Sequence, residues 1–305
     1  MMLSRRDKLF LISLLPFSLS VLAVLVILLF TVVANSLDAL KVFCIQLLTS
    51  SVWDPENKVY GVLAPIIGSL TTSLIAVLTA LVLSILLAIL IAEYLRGFSR
   101  EILSSIVEFT GGLPTIIFAI WASQYLVPFL RDAVMMPLHS YLSFISIFSC
   151  RPVTGFSVFS AGIALGISIV PYVTSIILEA YQSIPVAYRE ACYGMGATKY
   201  ESIRILLSLA RPAVVAALIL GFARSLGETT IVVATIGNSM NLTPCIFAPG
   251  YTVSALIASQ FGNAYLYPYA ESVLYFSMLI VAVISLVLSL YASSVIIKWR
   301  SRIVV

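Results

Sequence analysis

Charge is what this sequence has least of: 10% of its residues are Asp, Glu, Lys or Arg, against 61% hydrophobic, where a soluble domain carries about a quarter charged. A soluble globular fold is excluded. Histidine is nearly missing too, and the one present, His139, has no second histidine or acidic cluster beside it, so it reads as a packed or surface side chain and not a ligand. The four cysteines, Cys44, Cys150, Cys192 and Cys245, show neither a CxxC nor metal spacing and read as small apolar fillers; a Cys150–Cys245 bond stays open, because both fall on the external side. No GxxxxGK[ST], HExxH or GxSxG run occurs, and without a phosphate-cradling loop the chain cannot hold ATP by itself. No catalytic residue, cofactor or metal is expected, and the energy for any work must come from another polypeptide.

Long apolar runs are what the chain has instead. Its mean hydropathy is +1.11, and spans of about 20 residues leave room for six in 305 residues. The runs cover residues 10–34, 66–94, 113–130, 158–181, 212–237 and 270–297, and imply one all-α integral membrane domain. The first follows Arg5, Arg6 and Lys8 as a signal peptide would, but it is longer than the ~7–15 residues of a signal's apolar core and reads as a span kinked at Pro16. Between the runs, 35–65 reads as an external loop with Trp53 as an interfacial anchor. Residues 96–108 read as an interfacial segment, and Gly111-Gly112-Leu113-Pro114 as a bend into the third span. Residues 131–156 read as an external or re-entrant segment, since 135–150 is apolar but short for a crossing.

Two small-residue patterns point to close helix packing. Ala76, Ala80, Ser84 and Ala88 recur every fourth residue, and Gly162 and Gly166 form a GxxxG; both let a neighbouring helix approach. Basic residues then fix the orientation. Arg5, Arg6, Lys8, Arg96, Arg100, Arg189, Lys199, Arg204, Arg211, Lys298, Arg300 and Arg302 fall on one side, and only Lys41, Lys58, Arg131 and Arg151 on the other. The bias predicts both termini and the 185–211 loop in the cytoplasm of a multi-pass protein. The net charge of +4 reports this orientation and gives no reason to expect nucleic acid.

The most informative stretch runs from Pro185 to Glu228. Gly194 and Gly196 interrupt a helical pattern, and Thr198-Lys199-Tyr200-Glu201 reads as a capping box opening a second helix. Pro212 is best tolerated in a helix's first turn, so the polar element is expected to hand over there to a separate buried helix. Within that span Arg224 and Glu228 stand four apart. Each would cost about 2.5–3.5 kcal/mol at a membrane centre, so they are expected to share a face and form an ion pair. Two readings stay open: helix glue, or a translocation path in which guanidinium forks onto an oxyanion.

Glu190-Ala191-Cys192 followed by Gly196 resembles the EAA loop of ABC importer permeases, the helix pair that docks on the ATPase. The run REACYGMGATKYESIR, then ARSLGETTIVVATIGN and FAPGYT, resembles PstC-type subunits of phosphate importers, and the likeness extends from Gly61 to Arg302. Cys192 stands where the pattern has its second alanine, Leu207-Ser208 where it has Leu-Pro, and Thr230-Ile231 where PstC-type subunits follow Gly-Glu-Thr with Met-Ala.

The resemblance implies a type I importer permease of MetI-like fold: an N-terminal helix at 10–34, a core at about 66–297, and a coupling loop at 185–211. It implies Glu190, Ala191, Gly196, Thr198 and Glu201 at the ATPase contact, and Arg224, Glu228 and Thr229 on the substrate path. The expected partners are a PstA-type sister permease, an ABC ATPase dimer, a phosphate-binding protein and membrane lipid, in the plasma membrane. Another oxyanion (sulfate, molybdate or phosphonate) and an ion-coupled secondary transporter or channel are the rival readings. The latter predicts broken helices in two inverted halves and leaves the EAA-like loop without a purpose.

Overall fold

The computed structural model describes residues 5–43 and 45–303; Cys44, read as an apolar filler, lies outside the described residues. Helix α1, Arg5–Phe43, runs through Pro16 without a break. Residues 35–43 are therefore helical and not the start of a loop. Ser36 and Ala39 are buried, the Ser272 hydroxyl donates to the Asn35 carbonyl at 2.7 Å, and the Ala39 N–H donates to that hydroxyl at 2.9 Å. Packing on the last helix thus extends the first one. Beyond residue 45 come α2, Gln46–Thr49, then a hairpin of β1, Trp53–Asp54, and β2, Val59–Tyr60, with Trp53 opposite Tyr60. At its turn Asn57 donates to the Asp54 carboxylate through side chain and backbone, which holds that carboxyl below its usual range. Trp53 does not stand alone as an anchor: its ring packs edge-on against Tyr60 at 5.3 Å.

Helix α3, Leu63–Ile89, ends in a π-helical turn, Leu90–Tyr94. Its chief partner is the helix at Val158–Gln182, and here the small residues meet. Ala76, Ala80, Ser84 and Ala88 are all buried. A methyl added at Gly166 would stand 2.6 Å from Thr79 Cβ and 2.9 Å from the Ala76 carbonyl, so the GxxxG places one backbone directly on the other.

Between these two helices lie α4, Phe98–Gly111, and α5, Thr115–Leu142, whose axes differ by 92°. The bend sits at Gly112-Leu113-Pro114, as the sequence predicts. The third span is longer than expected, however, and continues as helix through residues read as external. Arg131 and Asp132, inside this helix, pair with each other at 2.8 Å on its exposed side. His139 is structural: its Nδ1 lies 2.9 Å from the Phe148 carbonyl. Cys150 and Cys245 are bonded, with Cα atoms 6.1 Å apart, within the usual range.

After α6, Val158–Gln182, come α7, Val186–Gly194, α8, Lys199–Leu226, α9, Thr230–Thr235, α10, Val253–Gln260, and α11, Ala270–Ile303. Two expectations fail in α8. Pro212 lies inside one continuous helix and begins no new one, and the fifth span ends at Leu226 and not at 237. Pro212 is on an exposed side, while Ala210, Ala213, Val214 and Ala217 around it are buried. That packed face holds the helix together against the ~3 kcal/mol a central proline costs.

Among the described residues five helices are long and apolar enough to span a membrane, or six when the bent pair α4 and α5 is counted as one span. Contacts between them sort into two ends. At one, Phe43, Tyr60 and Tyr269 form an edge-to-face cluster, and the Tyr60 hydroxyl donates to the Pro268 carbonyl at 2.6 Å. At the other, the buried Trp299 donates its indole N–H to the Leu209 carbonyl at 2.8 Å.

Candidate functional site

The α7–α8 corner has the form the sequence predicts. Helix α7 ends at Gly194, and Gly196 follows with φ +82°, a left-handed conformation that side chains disfavour. A methyl on Gly196 would meet nothing within 4 Å, so the backbone turn, not a crowded neighbour in this chain, requires glycine. The Thr198 N–H donates to Glu201 Oε2 at 2.7 Å and the Glu201 N–H to the Thr198 hydroxyl at 3.4 Å, a complete capping box. Thr198 and Glu201 thus build the corner. Glu190 and Ala191 are exposed on α7 beside Tyr193 and Met195, whereas Cys192 is buried against the body of the protein. The corner presents an acid and apolar side chains outward on a rigid turn, which suits it to enter a groove on another protein.

At the far end of α8 lies Arg224, in its last turn. A cation there faces the negative end of the helix dipole, and its guanidinium carbon sits 4.8 Å from the ring centroid of Tyr172 on α6, a cation–π contact. Glu228 is not on the same helix face. The chain leaves helical geometry after Leu226 at the C-cap Gly227, whose N–H returns to the Arg224 and Ser225 carbonyls, and Glu228 falls in the break before α9. The expected Arg224–Glu228 ion pair does not form: the described residues place no carboxylate within 4.0 Å of Arg224.

The break nevertheless brings both side chains to one small cavity of about 30 Å³, lined also by Thr110, Gly111, Thr115, Ser168 and Ile231. It lies where α8, α6 and the bend between α4 and α5 converge. The Thr115 hydroxyl bonds that of Thr230 at 3.4 Å, and the Ser254 hydroxyl holds the Glu228 carbonyl at 2.9 Å. Ser225 and Thr229 bond their own backbone, at the Phe222 and Gly227 carbonyls. Thr229 lines a different, apolar cavity of about 430 Å³ between α8, α10 and α11, so the structure gathers Arg224 and Glu228 but sets Thr229 apart. Tyr172 was not predicted, and a lone tyrosine in an apolar run gives no signal for it. Chemically, the small cavity offers a guanidinium, a carboxylate and several hydroxyls inside the membrane-spanning region, a set that can bind an oxyanion by forked hydrogen bonds.

Comparison with known proteins gives a consistent set of likenesses. Residues 84–302 match the family described as binding-protein-dependent transport system inner membrane component. A probable phosphate transport system permease protein PstC of Methanocaldococcus jannaschii is 44% identical over 273 residues, covering 88% of this chain and 87% of that one. The phosphate transport system permease protein PstC of Xylella fastidiosa is 33% identical over 231 residues, covering 74% and 71%. Among solved structures, an inward-facing MetNI methionine ABC transporter chain superposes with a TM-score of 0.53 at 18% identity, covering 77% of this chain and 94% of that one; that likeness concerns the fold alone.

Proposed function

Since the chain belongs to the family of binding-protein-dependent transport system inner membrane components, we propose that it is the permease subunit of an ATP-driven importer and that its cargo is inorganic phosphate. It is a multi-pass membrane protein and a transport subunit, with ATP hydrolysed on a separate polypeptide. The cargo follows from two things together: the relatives named as phosphate permeases, and Arg224 lining a cavity with Glu228 between spans. That pairing of cation and cavity is the observation that carries the reading, because a guanidinium recognises a tetrahedral oxyanion by parallel N–H donors.

In this reading the helix at 10–34 is an addition to a transport core at about 66–297, and the 185–211 loop is the ATPase contact. The end bearing the α7–α8 corner and Trp299 faces the cytoplasm, in keeping with the distribution of Lys and Arg. A PstA-type sister permease completes the pore, an ATPase dimer docks on Glu190, Ala191 and Gly196, and a phosphate-binding protein delivers cargo from outside. ATP-driven closure of the ATPases moves the corner, and Arg224 and Glu228 are exposed to each side in turn.

The test is reconstitution of the four components in liposomes with labelled inorganic phosphate. ATP-dependent uptake that excess sulfate or molybdate does not suppress is the expected result. Equal competition by sulfate would overturn the cargo assignment, and uptake without the ATPase would overturn the importer class.

A further inference from the structure

Glu93 is an acid that the transport reading does not use. It sits in the π-helical turn that ends α3, a distortion that concentrates at functional positions, and its side chain is 7% exposed. A carboxylate this secluded needs partners, and it has two: Arg189 Nη2 at 2.7 Å and the Tyr181 hydroxyl at 2.8 Å, both on Oε1. A third contact reaches its backbone. Lys199 Nζ donates to the Glu93 carbonyl at 2.7 Å and lies 4.1 Å from the Tyr94 ring centroid.

The origins of these partners are what matter. Arg189 is on α7, Lys199 is the first residue of α8, and Tyr181 is near the end of α6. A cation at a helix N-terminus is unfavourable for its own dipole; Lys199 instead serves the C-terminal carbonyls of α3, where a cation is favourable. Both sides of the corner are thus bound to the end of one span, through contacts made by residues 96 and 106 positions later in the chain. Other charged pairs on the same end are exposed, as Arg300–Glu179 is, and such pairs contribute little.

We propose that Glu93 is the joint that makes α3 move with the α7–α8 corner, a positioning residue for coupling and not a contact for either ATP or cargo. The proposal rests on the importer reading above. When the corner is displaced, Arg189 and Lys199 pull on a short, charge-assisted linkage, and α3 carries the displacement to α6 through the small-residue seam where their backbones touch. Removing the carboxylate's charge should leave the ATPase docking surface intact and release α7 from α3, the Lys199 bond to the Glu93 backbone carbonyl remaining.

The experiment compares Glu93→Gln with the parent chain in the reconstituted complex. It reads three quantities: assembly with the ATPase, ATP hydrolysis stimulated by phosphate-loaded binding protein, and phosphate taken up per ATP hydrolysed. Expected for Glu93→Gln is normal assembly with uptake per ATP reduced about tenfold, the scale set by one hydrogen bond to a charged group. Adding Arg189→Gln should cost no further loss, since both changes break one linkage. Glu179→Gln, on the exposed pair, should leave the ratio unchanged.

If Glu93→Gln does not assemble, Tyr181→Phe removes one hydroxyl without changing shape and should lower the same ratio more mildly. An assembled Glu93→Gln complex with parental uptake per ATP overturns the proposal, as does an unchanged ratio for Tyr181→Phe when Glu93→Gln cannot be made. A parent complex without ATP-driven uptake would instead remove the importer reading, so the two failures are distinguishable.

Discussion

The guanidinium carbon of Arg224 lies 4.8 Å from the centre of the Tyr172 ring, so the charge entering the membrane from α8 rests on an aromatic face supplied by α6. This contact and the helix C-terminus together account for an arginine that reaches no carboxylate among the described residues. A cation–π contact uses the face of the guanidinium and not its N–H edges, which suit an anion.

Replacement of Arg224 by Lys is therefore expected to fail. Ammonium keeps the charge and the cation–π contact but loses the planar fork, so labelled phosphate uptake should fall at least about tenfold with the complex still assembled. Tyr172→Phe keeps the aromatic face and should be mild, whereas Tyr172→Leu should lose about 1 kcal/mol of support for the cation. Replacing Arg224 and Glu228 together by apolar residues should give a folded, assembled and inactive complex; near-parental uptake would reduce both to helix glue.

The corner gives a prediction about backbone geometry. At φ +82°, Gly196→Ala should cost about 1 kcal/mol although it creates no clash, and Thr198→Ala should cost a similar amount through the lost cap. Thermal unfolding in detergent measures both. Gly196→Trp adds bulk on the outward side and should also abolish copurification of the ATPase; normal association would remove the loop's assigned role.

Close packing of α3 on α6 makes Gly166→Ala a sharp test. The new methyl would meet Thr79 and the Ala76 carbonyl, and overpacking of this kind costs about 1–3 kcal/mol. Gly194→Ala, where a methyl meets nothing within 4 Å, should be neutral or slightly stabilising. Equal unfolding temperatures for the two would contradict the packing described.

Cys150 and Cys245 close a loop of 95 residues, and a crosslink over that separation contributes about 2–4 kcal/mol. Cys150→Ser should lower the unfolding temperature accordingly, with addition of a reductant reproducing the effect on the parent chain and not on the variant.

Orientation is tested by reporters. A fusion after Arg302 should report the cytoplasm and one inserted near Asn57 the exterior; a C-terminus found outside would reverse every assignment of ends.

The parts of this fold that were legible in the sequence are those fixed by local chemistry. Apolar length marked the spans, Gly111 to Pro114 marked the 92° bend, and Thr198 with Glu201 marked a helix start to the residue. Tertiary contacts decided the rest. Pro212 looked like a boundary, but the buried alanines around it keep α8 whole. Residues 135–150 looked too short to cross, but the third span carries helix on to Leu142, through the Arg131–Asp132 pair. Arg224 and Glu228 were singled out by their cost in a membrane, but the break at Gly227 sets them on one cavity in place of one helix face. Glu93 carried a signal that was not used, an acid at the end of an apolar run, because its partners lie far along the chain.

The continuity of α8 has a mechanical meaning. From Lys199 to Arg224 the helix rises about 37 Å at 1.5 Å per residue, a single lever with the corner at one end and the cavity at the other. Tilting such a rod by about 5° shifts its far end by about 3 Å, comparable to the diameter of a water molecule. No hydrogen bond along it has to open for the stroke to arrive. Under the importer proposal, the step that exposes Arg224 should then run at the microsecond-to-millisecond pace of rigid-body motion, and a second proline or a glycine pair placed near the middle of α8 would act as a clutch, letting the proposed ATPases close while the cavity stays still.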